Sequence, residues 1–339
     1  MTAQELSRPV TKTSEASALW FERLYAALRL PFWVGAFVFA AGGFLAILVA
    51  VGLAVGFDLV AQFFSFFPFV TLIALLAQGG GRMARQRIEE LNDYAEAMGG
   101  GKIDLRPLYS LRNFVVVYVL MLAIIEPLYT FYALPPTIPV EQRFAGTLPF
   151  VYWNLFVNAF IWVWIYSMYS VRKIGGLPLR LRPFTEDRSL GLKPFGTFSL
   201  QLTGLYLTMM ALIAIPNAAA GFQSLPLLFF FAGLLLIAPI LFLLPLLPLK
   251  RKLQRAKREL MAKMGVRYTR AYERIDGNPN GQIAPAVVSE LLALGEIRRD
   301  VQQIRTWPFD AGVVLRLSAI VISVTAIVLA RIVQRLFGI

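Results

Sequence analysis

From Pro31 to Phe57 the chain reads PFWVGAFVFAAGGFLAILVAVGLAVGF, without one charged side chain. A run of that length matches the roughly 20 apolar residues an α-helix needs to cross a bilayer. Hydrocarbon leaves backbone polar groups only two ways to be satisfied within a span, a helix or a closed barrel. Further apolar blocks follow at about 59–78, 111–133, 148–170, 200–219, 225–248 and 312–330. The expected fold is therefore all-α, a polytopic membrane protein with about seven transmembrane helices. Composition agrees. Charged residues make up 16% of the chain, against a globular norm of about 25%, and mean hydropathy is +0.64.

The polar segments divide the chain. Residues 1–30 form an N-terminal segment ending in a short amphipathic helix, in which Leu19, Trp20, Tyr25 and Leu28 suit an interface. Residues 31–248 hold six spans. Within them lies a polar stretch whose Ala84, Ile88, Leu91, Ala95 and Met98 recur at helical spacing, predicting a separate helix near 82–98. The flanking runs Gly79–Arg82 and Gly99–Lys102 read as hinges. Residues 249–310 carry two apolar stripes. Leu249, Leu253, Ala256, Leu260 and Met264 form one; Val287, Leu291, Leu294, Ile297, Val301 and Ile304 form the other. They predict a cytoplasmic helical hairpin, with residues 311–339 supplying the seventh span and C-terminus. Between the stripes, Asp276–Gly281 begins like a calcium loop. Val287 stands where the bidentate carboxylate belongs, so a turn is expected there.

Net charge is +13, and its distribution sets orientation. All the Lys and Arg but Arg143, Arg316, Arg331 and Arg335 fall in 1–30, 79–112, 171–198 and 249–310. With seven spans these segments share one side. The positive-inside bias makes that side cytoplasmic, with the N-terminus inside in the cell membrane. The basic excess then meets anionic lipid headgroups rather than nucleic acid.

Histidine and cysteine are both absent. That removes imidazole bases, thiolate nucleophiles, and the usual zinc, haem and iron–sulfur ligation. No cofactor, metal site or catalytic residue is expected, and the chain reads as a non-enzyme. One carboxylate, Glu126, lies deep within a predicted span, at a cost of about 2.5–3.5 kcal/mol on insertion scales. The next span carries Asn154 and Asn158 on one face. Glu126, Asn154 and Asn158 are the candidate polar membrane site, either a protonatable or cation-binding site or a neutral, hydrogen-bonded carboxyl. Arg143 and Arg331, near the outer side, are the candidate ion-pair partners. Trp162 and Trp164 sit too deep for an interfacial belt, and packing is the simpler reading than a gate. Gly42, Ala46 and Ala50 are spaced for close helix packing, against another span or a second subunit.

The loop RPFTEDRSLGLKPFG, residues 182–196, resembles one in an uncharacterised prokaryotic polytopic membrane protein family. The resemblance covers this loop and implies no activity. Two function classes stand: an ion-conducting or transport-type component coupled to the hairpin, or a non-transporting scaffold or sensor. In the second, the hairpin docks a cytoplasmic protein partner; a homo-oligomer is compatible with either.

Overall fold

The computed structural model describes residues 18–57, 66–128, 139–219, 225–276 and 285–309, with isolated positions at 61, 64 and from 312 to 334. Every regular element among them is helical. The first is α1 (Trp20–Ala27), amphipathic, but Leu19 and Tyr25 are buried in the core with Phe21 instead of turned to an interface, and of the four residues expected there only Leu28 is exposed. Next come α2 (Phe32–Phe37), a π-helical turn (Val38–Gly42) and α3 (Gly43–Val55), which together make the first apolar rod. Then follow α4 (Phe67–Ala97), a 3-10 turn (Arg106–Tyr109), α5 (Leu111–Leu128) and α6 (Val140–Gly176). The chain continues through α7 (Lys193–Ala219), α8 (Leu225–Asp276) and α9 (Pro285–Gln302).

Four helices are long and apolar enough to cross a membrane: Phe32–Val55, Gln142–Gly176, Lys193–Ala214 and Ala232–Arg274. The other three predicted spans, at 59–78, 111–133 and 312–330, each run into residues outside the described set. Large apolar side chains such as Trp33, Leu53, Val119 and Ile240 lie exposed on the helix surfaces, as a lipid-facing wall requires.

Two expectations change. The 82–98 helix is not separate. It is the C-terminal half of α4, which passes straight through Gly79–Gly81. The stripe Ala84, Ile88, Leu91, Ala95 and Met98 is buried as read, but the glycines are contact points rather than a hinge. A Cβ on Gly80 would strike Leu205 of α7 and press on Phe160 of α6, and one on Gly79 would meet the Trp33 ring at 2.5 Å. The second run does stop a helix. Gly99, at φ 76°, donates to the Glu96 carbonyl and Gly100 to that of Ala95, closing α4.

Among the described residues, the small-residue stripe packs against no other span of the same chain. Gly42, Ala46 and Ala50 face outward in the single chain. Close packing is made one position on, where Gly43 admits the Tyr152 ring. The Tyr152 hydroxyl donates to the Phe39 carbonyl at 2.6 Å, inside the π-turn. Among the tryptophans, Trp164 stacks on Tyr206 with centroids 4.6 Å apart, and Trp162 Nε1 donates to the Leu108 carbonyl.

The two stripes in 249–310 turn inward on their helices. Leu249, Leu253, Leu294, Val301 and Ile304 are buried, and the other stripe residues half-buried. Helix α8 is one unbroken rod across residue 249. The predicted turn at Asp276–Gly281 lies outside the described residues beyond Asp276. Three of the basic residues at this level have local partners. Lys252 Nζ donates to the Leu177 carbonyl beyond α6, and Lys257 Nζ to those of Gln302 and Ile304 at the end of α9. Lys250 lies over the Trp307 ring at 4.2 Å. Cations at helix C-termini oppose the negative end of the dipole. In the 182–196 loop, Asp187 accepts from the backbone N–H groups of Ser189 and Gly191 at 2.8 and 3.0 Å.

Candidate functional site

The residues singled out in the membrane fall on two facing helices. On α6, Arg143, Thr147, Asn154 and Asn158 are separated by 4, 7 and 4 positions. At about 100° per residue they share a stripe roughly 60° wide. All four are buried. Helix α5 runs antiparallel along α6: its Tyr118 hydroxyl donates to the Val151 carbonyl at 2.9 Å, and its Glu126 hydrogen-bonds the Thr147 side chain.

The partner of Glu126 is thus Thr147, about two turns from Asn154 along α6, and Glu126 is half-buried. A carboxyl meets whatever lies level with it, and antiparallel register puts Thr147 there. Arg143 lies one turn nearer the start of α6 on the same stripe and is buried. Arg331 lies outside the described residues.

The Thr147 hydroxyl also lies 2.9 Å from the Phe144 carbonyl, in donor geometry. A hydroxyl has one proton to give. When Thr147 donates to Phe144, Glu126 must be protonated to complete the contact. When Thr147 donates to Glu126, the carboxylate is accommodated. One rotation about the hydroxyl bond therefore serves both protonation states.

Asn158 is the outstanding group deeper in. It is fully buried, and neither its amide nitrogen nor its amide oxygen has a hydrogen-bond partner. Leaving such a group unpaired costs about 1–3 kcal/mol by protein mutational data, and more in hydrocarbon.

A second polar constellation, which the sequence did not announce, joins α1, α4 and the 3-10 turn. Glu22 of α1 reaches back to the Leu19 N–H at 2.9 Å, and its other oxygen pairs with Arg85 Nη2 of α4 at 2.5 Å. Burial lowers the Arg85 guanidinium from its usual range, and Glu22 opposes that shift. Arg85 Nη1 is buried without a partner. One turn along α4, Glu89 accepts from the Tyr109 hydroxyl, and burial together with Glu89 holds that phenol above its ordinary range. Tyr25 donates to Gln78 Oε1 at 2.5 Å. One signal was available. Arg82, Arg85 and Glu89 recur at spacings of 3 and 4, beside the buried Ala84–Ile88 stripe.

Among the described residues, no group of three or more carboxylates is placed to hold a metal ion. Compared with protein-family models, with curated proteins and with solved structures, the chain matches none.

Proposed function

We propose that this chain is an ion-conducting, transport-type component of the cell membrane, with its polar path between α5 and α6. The observation that carries the reading is Asn158, a wholly buried amide whose donor and acceptor atoms both lack partners. A polar group kept in that condition inside a membrane bundle is suited to a passing water or cation. Glu126 stands about 16 Å outward along the same stripe, taking Thr147 to Asn158 at 1.5 Å per residue. Its contact with Thr147 accepts either protonation state, which suits a proton-linked step. The paired α8 and α9 join the membrane region to the inner side.

The test is flux into proteoliposomes holding the purified full chain, under imposed H⁺, Na⁺ or K⁺ gradients. Flux above empty vesicles is expected. Asn158→Leu should cut it by an order of magnitude while melting no lower than the parent, because it removes an unsatisfied buried amide. Glu126→Gln should abolish the proton-linked component. Parent flux no faster than lipid alone, or unchanged flux in Asn158→Leu, would overturn the reading.

The topology that goes with it has seven spans, the N-terminus inside and the C-terminus outside. Reporter fusions after residues 100, 140, 185, 280 and 339 should read in, out, in, in and out. A cytoplasmic signal at 339 would make the last span re-entrant or interfacial.

A second reading has its own support. Val266, Tyr268, Tyr272 and Leu292 on α8 and α9 leave large apolar surface exposed. Such a surface suits a scaffold or sensor that docks a cytoplasmic protein. Absence of flux together with saturable capture of one defined partner by the 249–306 hairpin would select it.

A further inference from the structure

A cavity of about 200 Å³ opens between α1, the C-terminal half of α4 and the 3-10 turn. Glu22, Arg82, Arg85, Glu89 and Tyr109 line it, with Phe32 at its apolar edge. That exceeds the roughly 150 Å³ known to accommodate a benzene-sized molecule.

Arg85 supplies a fixed positive charge buried in the cavity wall. Its side chain is 5% exposed; Nη2 is committed to Glu22, while Nη1 is buried with its hydrogens unspent. Arg82 lies on the same wall, with its guanidinium 4.6 Å from the centre of the Phe32 ring. Glu89 has its Oε1 engaged by Tyr109, which leaves the second carboxylate oxygen able to accept.

The formal charges of Glu22, Glu89, Arg82 and Arg85 cancel. A bare anion here gains from the arginines and is repelled by Glu89; a bare cation meets the reverse. A ligand bearing both signs a few ångströms apart satisfies both walls. Planar guanidinium donors favour phosphate or carboxylate oxygens, and a carboxylate favours an ammonium. Leu28, Trp33 and Val34, close by in the chain, are exposed and apolar, a surface suited to acyl chains.

We infer that this cavity binds a phosphate–ammonium zwitterion of the ethanolamine phosphate kind, free or as the headgroup of a lipid. The phosphate accepts from Arg82, with the buried Arg85 charge behind it, and the ammonium donates to Glu89. The inference stands independently of ion conduction, since it uses no residue of the α5–α6 stripe.

The experiment titrates the full chain in detergent with phosphoethanolamine and, separately, with short-chain phosphatidylethanolamine. Tryptophan fluorescence and melting are followed, with inorganic phosphate and phosphatidylglycerol alongside. Saturable binding and a raised melting midpoint are expected with at least one zwitterion. Saturation by the lipid alone makes a membrane lipid the source; saturation by the free compound makes it a soluble metabolite. Glu89→Gln, which keeps an acceptor for Tyr109, should weaken the zwitterion about tenfold or more and leave phosphate no weaker than in the parent. Arg82→Gln should weaken both. The inference fails if neither zwitterion saturates, if phosphatidylglycerol binds as well as phosphatidylethanolamine, or if Glu89→Gln binds like the parent.

Discussion

Replacing Arg85 by alanine should lower stability by about 3 kcal/mol, the lower end of what breaking a buried ion pair costs. The Arg85 side chain is 5% exposed and that of its partner Glu22 12%, so the carboxylate left behind is a largely buried charge without its cation. Glu22 also holds the Leu19 N–H at the start of α1, and a reoriented carboxylate gives up that cap. The loss should therefore appear first as detachment of α1. It is measurable as proteolysis near residue 20 at temperatures where the rest of the bundle still resists. Glu22→Gln in the Arg85→Ala background removes the orphaned charge and should restore part of the midpoint. Equal melting of Arg85→Ala and the parent would show that α1 is held by Phe21 and Tyr25 alone.

The second large effect is steric. Gly196, in the first turn of α7, faces the backbone of Pro308. A Cβ there would stand 2.6 Å from the Pro308 carbonyl carbon and closer still to its oxygen. Backbone cannot swing aside as a side-chain end can. Gly196→Ala should cost about 1–3 kcal/mol by overpacking and displace the segment after α9. That segment carries Trp307, under Lys250, and Phe309, against Phe242. Gly204→Ala on the same helix meets nothing within 4 Å and is the control. It should be neutral or up to about 1 kcal/mol stabilising through helix propensity. Equal melting of the two variants would place the Pro308 contact outside the folded ensemble.

Apolar periodicity revealed most of the helices, because burial of a stripe is a property of one segment and is written in it. The Ala84–Met98 stripe and the two stripes of α8 and α9 are of this kind. What stayed hidden depended on partners far away in the chain. Three consecutive glycines look like a break until Leu205 and Trp33 are seen to press on Gly80 and Gly79. Glu126 and Asn154 are both polar and both lie within expected spans. The register of α5 on α6, however, gives the carboxyl Thr147 instead. Arg85 and Glu22, 63 positions apart, looked like ordinary inner-side charges, since nothing local marks either as buried.

The 52-residue rod α8 has a mechanical consequence. Near its middle, Pro248 and Leu249 press on Gly175 of α6, and Lys252 is tied to Leu177. These contacts form a fulcrum, with arms of about 36 and 40 Å on either side at 1.5 Å per residue. The arms differ in stiffness. Pro239, Pro245 and Pro248 interrupt the hydrogen-bond ladder of the apolar arm, whereas residues 250–276 contain no proline. Bending is absorbed in the apolar arm, and the polar arm turns as a unit. A tilt of a few degrees at the fulcrum therefore becomes a displacement of several ångströms at its far tip, carrying α9 with it.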